Sequence, residues 1–150
     1  MLVLFVDADG CPVKQEVYRV AGRHGLEVHV VANSWMRVPD DDRVHSVVVE
    51  GGFDAADDWI VEQVGADDVV ISADIPLASR CLAKGAAVLG PRGREFTDDN
   101  IGDALASREL QSHLRDMGNV TGGPPPFERR DRSRFLQRLE EIIQRIRRRT

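Results

Sequence analysis

At 150 residues, with 42% hydrophobic and 30% charged side chains, the chain is long enough for one domain with its own core and too apolar to stay disordered. Its opening apolar run, residues 2–6, is too short for a signal-peptide core or a membrane span, and no basic segment precedes it. The expected compartment is therefore the cytoplasm, with no membrane partner. Cys11 and Cys81 are too few for a disulfide framework or a four-cysteine zinc site, and both are expected to be reduced. The net charge of −5 hides an asymmetry. Residues 1–127 carry 11 Lys/Arg against 21 Asp/Glu, whereas residues 128–150 carry 9 Arg against 4 acids. An acidic body thus ends in a basic tail.

Short runs rich in Val and Ile recur at 2–6, 28–32, 45–49, 68–72 and 86–89. Most are continuous rather than alternating, as expected of strands covered on both faces. Between several of them, apolar residues fall three and four apart: Val13, Val17, Val20 and Ala21, then Ile60, Val61 and Val64, then Leu77, Cys81 and Leu82. Strands alternating with helices predict βαβ units and a three-layer α/β/α domain with a mostly parallel sheet of about five strands. Pro12 and Pro76 fit first helical turns, and Gly25, Gly65 and Gly85 fit helix ends. A further helix is expected from Thr97 to about Met117. The Gly/Pro stretch 121–127 reads as a linker between a 1–120 core and a helix over 128–150, with no second domain. On that last helix Phe135, Leu139, Ile142, Ile143 and Ile146 form one apolar stripe.

In open parallel sheets ligands gather beyond the carboxyl ends of the strands. Asp7 and Asp9 follow the first strand, Asp74 follows the fourth, and Asp54, Asp57 and Asp58 follow the third on the first turns of a helix. The spacing of 54, 57 and 58 lets all three share a helix face. Carboxylates gathered in this way repel one another unless a cation compensates. Hard oxygen donors without a His-Cys set favour Mg2+ or Mn2+ over zinc. Each acid also has a plainer reading. Asp7, Asp9 and Asp74 are turn or cap formers, and the 54, 57 and 58 set suits a helix dipole. Asp98 and Asp99 follow Thr97, a candidate cap, and need no other explanation. Cys11, close to the acids, is either a nucleophile or a buried thiol.

Several motifs match known families. Val6-Asp7-Ala8-Asp9 resembles the first-strand element of PIN-like nuclease domains. Gly52-Phe53-Asp54-Ala55-Ala56-Asp57-Asp58 resembles the Gly-x-Glu-Ala-Asp-Asp segment of flap-type nucleases and NYN domains, with Asp54 in place of Glu and one extra Ala shifting the pair. Ser72-Ala73-Asp74-Ile75-Pro76-Leu77 is similar to a further element of that superfamily. Asp7-Ala8-Asp9-Gly10-Cys11-Pro12, Val31-Ala32-Asn33-Ser34, Gly51-Gly52-Phe53-Asp54, Ser72-Ala73-Asp74-Ile75-Pro76-Leu77-Ala78, Pro91-Arg92-Gly93 and Thr121-Gly122-Gly123-Pro124 together resemble the YaiI/YqxD family, nearly end to end. The resemblance implies a PIN-like fold and a metal-dependent nuclease acting on nucleic acid, RNA in preference to DNA. Under that reading Asp7 and Asp74, with one or more of Asp54, Asp57 and Asp58, hold Mg2+ or Mn2+. Asp9 serves as a further ligand or orients the attacking water. Asn33, Ser34 and Arg37 face the same edge as substrate contacts, and Arg92 is a phosphate clamp or a surface ion pair.

Two rival functions fit other features. A non-catalytic PIN-like module for RNA binding or assembly uses the same fold. In that case the Arg-rich tail is a nucleic-acid arm, a homodimer contact or a helix docked on its own sheet. A haloacid-dehalogenase-like phosphatase would use Asp7 as nucleophile with Ser72, Lys84 and the Asp98-Asp99 pair. Cys11 standing where that family has Thr argues against it.

Overall fold

The computed structural model describes residues 2–52, 54–118 and 125–149. Along the chain it runs β1 (Val3–Asp7), α1 (Lys14–His24), β2 (Glu27–Ala32), β3 (Val44–Val48), α2 (Ala55–Gln63), β4 (Val69–Ile71), α3 (Ile75–Ala83), β5 (Ala87–Leu89), β6 (Glu95–Phe96), α4 (Ile101–Asp116) and α5 (Arg129–Arg149). The sheet order is β3-β2-β1-β4-β5-β6, with every pair parallel except β5 with β6. The five apolar runs are the five parallel strands. β6 was not anticipated, because two residues carry no periodicity to read.

Two apolar layers sandwich the sheet. On one face α1 and α5 bring Val13, Val17, Val20, Phe135, Leu139, Ile142 and Ile143 against Leu4, Val6, Val28 and Ile71. On the other, α2, α3 and α4 set Ala56, Ile60, Leu77, Cys81 and Ala104 against Phe5, Val31, Val70 and Val88. Consecutive strand residues therefore point into different cores, which is why the strands read as continuous apolar runs. The step from β2 to β3 has no helix. Segment 33–43 makes the crossover instead, with Met36 and Val38 packed against the α1/α5 core.

The helix ends follow local chemistry. Gly25 takes the left-handed conformation, φ 68°, and its N–H reaches the carbonyls of Ala21 and Gly22, closing α1. Pro76 lies in the first turn of α3, as expected, whereas Pro12 lies in the turn before α1. The fourth helix begins four residues later than Thr97 predicted. Asn100 accepts the Thr97 N–H at 2.9 Å and donates to the Glu95 carbonyl at 2.9 Å, holding residues 97–100 as a turn. Of the linker, residues 121–124 lie outside the described residues, as does Phe53.

The basic tail helix docks on the chain's own sheet. Phe135, Leu139, Ile142 and Ile143 are fully buried. Arg132 pairs with Glu16 at 2.5 Å, Arg145 with Glu95 at 2.6 Å and Arg149 with Asp67 at 3.1 Å. Its apolar stripe is therefore part of the core, while its remaining faces are solvated or ion-paired. Phe135→Ala should cost about 3–5 kcal/mol, through lost burial and the cavity left behind. Urea unfolding would read this as a lower midpoint at an unchanged m-value.

A carboxylate pocket where the strand order reverses

The chain steps outward from β1 to β2 and β3, then returns to the other side of β1 for β4. At such a reversal the connections leaving two adjacent strands part in opposite directions and open a crevice at their carboxyl ends. β1 ends on Asp7, and Val6 is in register with Ile71, so Asp7 and Ser72 stand side by side. A cavity of 260 Å³ opens there, lined by Asp7, Asp9, Cys11, Ser72, Asp74 and Pro91 among others.

A short relay fixes the carboxylates. Ser72 donates its hydroxyl to Asp7 Oδ2 at 2.7 Å and accepts the Asp74 N–H at 3.0 Å. Asp74 caps α3, its Oδ1 taking the Leu77 N–H at 2.9 Å. Asp9 Oδ2 accepts the Asn33 N–H at 3.0 Å, tying the loop after β1 to the loop after β2. The cap reading of Asp74 and its place in the pocket are thus both true.

The electrostatics follow from this crowding. Burial raises the Asp7 carboxyl above its ordinary range. The Ser72 hydrogen bond opposes that rise, and the charges of Asp74 and Asp9 add to it. Asp57, one turn into α2, is pushed from 3.8 to about 6, first by burial and then by the charges of Asp74, Asp7 and Asp54. Three segments distant in sequence therefore place charge within mutual reach. Two nearby cations make their direct bonds to other groups, although the charge of Arg80 partly opposes the rise at Asp57. Lys14 Nζ donates to the carbonyls of Cys11 and Ala8 at 3.2 and 3.5 Å, and Arg80 pairs with Asp58 at 2.9 Å. Among the described residues, no three His, Cys, Asp or Glu stand close enough to form a metal cage made only of protein ligands.

The other candidate residues divide in two. Asp58 faces Arg80 on α3, and Asp54 stands at the cap position of α2 without a side-chain capping bond. Asn33, Ser34 and Arg37 are exposed on the segment that Asp9 anchors, at the rim of the same edge. Arg92 leans away toward α5. It pairs with Asp131 at 3.2 Å, donates to the Pro125 carbonyl and lies over the Phe127 ring. Beside it the backbone at Gly93 touches α5: a Cβ there would stand 2.7 Å from the Cβ of Arg134. The phosphatase reading loses its lysine, since Lys84 ends α3 and bonds to the Val61 carbonyl at 2.8 Å, a helix length (roughly 14 Å) from the Asp74 cap. Cys11 lines the cavity, but burial raises its thiol pKa, which keeps it a protonated and poor nucleophile. Two neighbours of the site escaped the sequence reading. Lys14 follows Cys-Pro-Val in the β1–α1 turn. Trp35, 76% exposed, is the aromatic of an Asn-Ser-Trp run just past a strand end.

The fold and pocket define an open α/β/α protein with an acidic crevice at the reversal of a largely parallel sheet. The chain belongs to the YaiI/YqxD family, described as "Uncharacterized BCR", which matches residues 5–145. Similar proteins include the UPF0178 protein BRADO3147 of Bradyrhizobium sp. (strain ORS 278), 56% identical over 98% of this chain and 90% of that one. A UPF0178 protein of Parvibaculum lavamentivorans is 56% identical over 99% of this chain and 98% of its own length. The UPF0178 protein amb2838 of Paramagnetospirillum magneticum is 51% identical over the same shares. No solved structure matches the chain.

The raised Asp57 pKa gives a pH signature. Because the folded state holds its proton more tightly than the unfolded chain, stability falls as pH rises from 3.8 to about 6 and is level above. Asp57→Asn removes that charge. Its urea midpoint should match the wild type at low pH and exceed it at neutral pH.

Proposed function

We propose that the pocket binds Mg2+ or Mn2+ and hydrolyses phosphodiester bonds, with RNA favoured over DNA. The observation that carries this reading is a set of carboxylates on three segments, Asp7, Asp74 and Asp57, whose crowding, with burial, raises the proton affinity of Asp7 and Asp57, and which form no ion pair with a Lys or Arg among the described residues. The donor set fits such an ion chemically. Mg2+ keeps several waters and uses one or two carboxylates together with substrate phosphate, so Asp7 and Asp74 suffice without a closed protein cage. The same geometry is a poor match for zinc, which takes several His, Cys or carboxylate ligands from the protein.

When bound, the ion would make a coordinated water more acidic and stabilise charge on the attacked phosphate. The chain's own groups supply the rest. Ser72 holds the Asp7 carboxylate in one orientation. The backbone of α3 holds that of Asp74 through the Leu77 N–H. Asp9 orients the attacking water at the rim. Asp57, with its pKa of about 6, is matched to accept that water's proton near neutral pH. A second reading, a non-catalytic RNA-binding module, is favoured by one observation: no three-ligand metal group is preformed among the described residues.

Calorimetric titration of Mn2+ and Mg2+ into the metal-free protein, beside Asp7→Asn and Asp74→Asn, separates the two. Asn is as good a helix cap as Asp, so Asp74→Asn keeps α3. Binding by the wild type that vanishes in both variants is the expected result. Cleavage of a labelled RNA should then fall by about a hundredfold or more in Asp57→Asn. A wild type that takes up neither ion at millimolar concentration sinks the nuclease reading in favour of the binding module.

A further inference from the structure

We infer that Trp35 and Arg37 form a recognition site for one unpaired nucleotide beside the acidic pocket, with Trp35 stacking on the base and Arg37 meeting the phosphate. This inference rests on the nucleic-acid reading above, and it adds what the enzyme would hold and where.

The argument starts from burial along segment 33–43. Trp35 and Arg37 are exposed, whereas Met36 and Val38 are half-buried and pack against the α1/α5 core. Over residues 35–38 exposure therefore alternates as in an extended chain, in which residues two apart leave on the same side, about 7 Å from each other. Met36 and Val38 act as the root of the segment and hold the other two outward. Leaving an indole 76% exposed forfeits one of the largest apolar burials available to a chain this size. The chain's other tryptophan, Trp59, is half-buried and tilted against Phe5 and His29 with ring centroids 6.1 and 5.8 Å apart, so the sheet has room for such packing where it is used.

Location gives the exposed ring its purpose. The Asn33 N–H is held by Asp9, which lines the cavity, so the segment is fastened to the pocket rim two residues before the indole. Arg37 has no ion-pair partner among the described residues, although acidic side chains abound and most arginines of α5 are paired. A cation beside a flat apolar face, next to an acidic pocket that would itself repel phosphate, is complementary to one nucleotide. The ring takes the base, and the guanidinium takes the phosphate forkwise. A base still stacked in a duplex offers no free face, so the site selects unpaired strands.

The test is fluorescence anisotropy of a 5′-fluorescein oligouridylate of about 12 nucleotides with the full chain. Calcium replaces magnesium so that the probe survives, and a hairpin duplex serves as competitor. Trp35→Ala should weaken binding about tenfold, Trp35→Phe should restore most of it, and the hairpin should compete poorly. Because the indole is exposed, circular dichroism should report an unchanged fold in both variants. Equal affinity in wild type and Trp35→Ala overturns the site, as does an absence of binding by the wild type. A Trp35→Ala variant that keeps its affinity but shifts to a smaller species on size exclusion would reassign the ring to a contact between copies. Cleavage in magnesium, run in parallel, keeps the two ideas apart. Binding that depends on Trp35 without any cleavage removes only the nuclease reading. Cleavage with Trp35-independent binding removes only this site.

Discussion

The parallel pairing of β1 with β4 brings residues 65 positions apart within one hydrogen bond, Ser72 to Asp7, and the rest of the candidate site depends on it. With the two strands side by side, the loops after them must diverge, one toward α1 and the other toward α3. The gap they leave is the cavity. Asp74 then has two constraints that agree: the Ser72 hydroxyl holds its backbone, and the first turn of α3 holds its carboxylate. Asp57 enters from a third direction, because α2 packs on the same face of the sheet as α3.

Such a site is costly to the fold. Burial and neighbouring carboxylates raise the proton affinity of Asp7 and Asp57, so their ionised forms oppose folding near neutral pH. Arg80 offsets this only in part at Asp57, since it is paired with Asp58, and Lys14 is turned to backbone carbonyls. Stability sacrificed at one place in a fold is commonly the sign of a site that must bind something.

The rest of the molecule is built to tolerate that cost, and α5 does much of the work. Its five buried apolar side chains each contribute on the order of 1.5–3 kcal/mol by leaving water. Its ion pairs to Glu16, Glu95 and Asp67 add less, because each has at least one well-exposed partner. They do set the register of the helix on an acidic body. Part of the charge asymmetry of the chain is thus internal complementarity, with Arg132, Arg145 and Arg149 of the tail meeting acids of the core. Arg92 and Gly93 extend that seam toward the pocket, so the wall ending in Pro91 is braced by the helix.

The five parallel strands, the apolar stripe of α5 and the carboxylates at strand ends were legible in the sequence, because period, capping and strand-end position are local properties. Asp7 and Asp74 could be paired on paper only through the general rule for open sheets. Other features belonged to the tertiary structure alone. β6 is too short to have a pattern, and the start of α4 is moved by a hydrogen bond between Asn100 and Glu95 of β6. Arg92 had a clamp and an ion-pair reading, and Asp58 was one of three candidate ligands; their pairings with Asp131 and Arg80 come from the tertiary structure. Trp35 looked like any aromatic until the inward packing of Met36 and Val38 left it outside. By itself the sequence determined the elements and the chemistry available at their ends. Which ends meet was decided by the strand order β3-β2-β1-β4-β5, because pairing across dozens of residues is a property of how all the apolar faces are buried together and of no single segment.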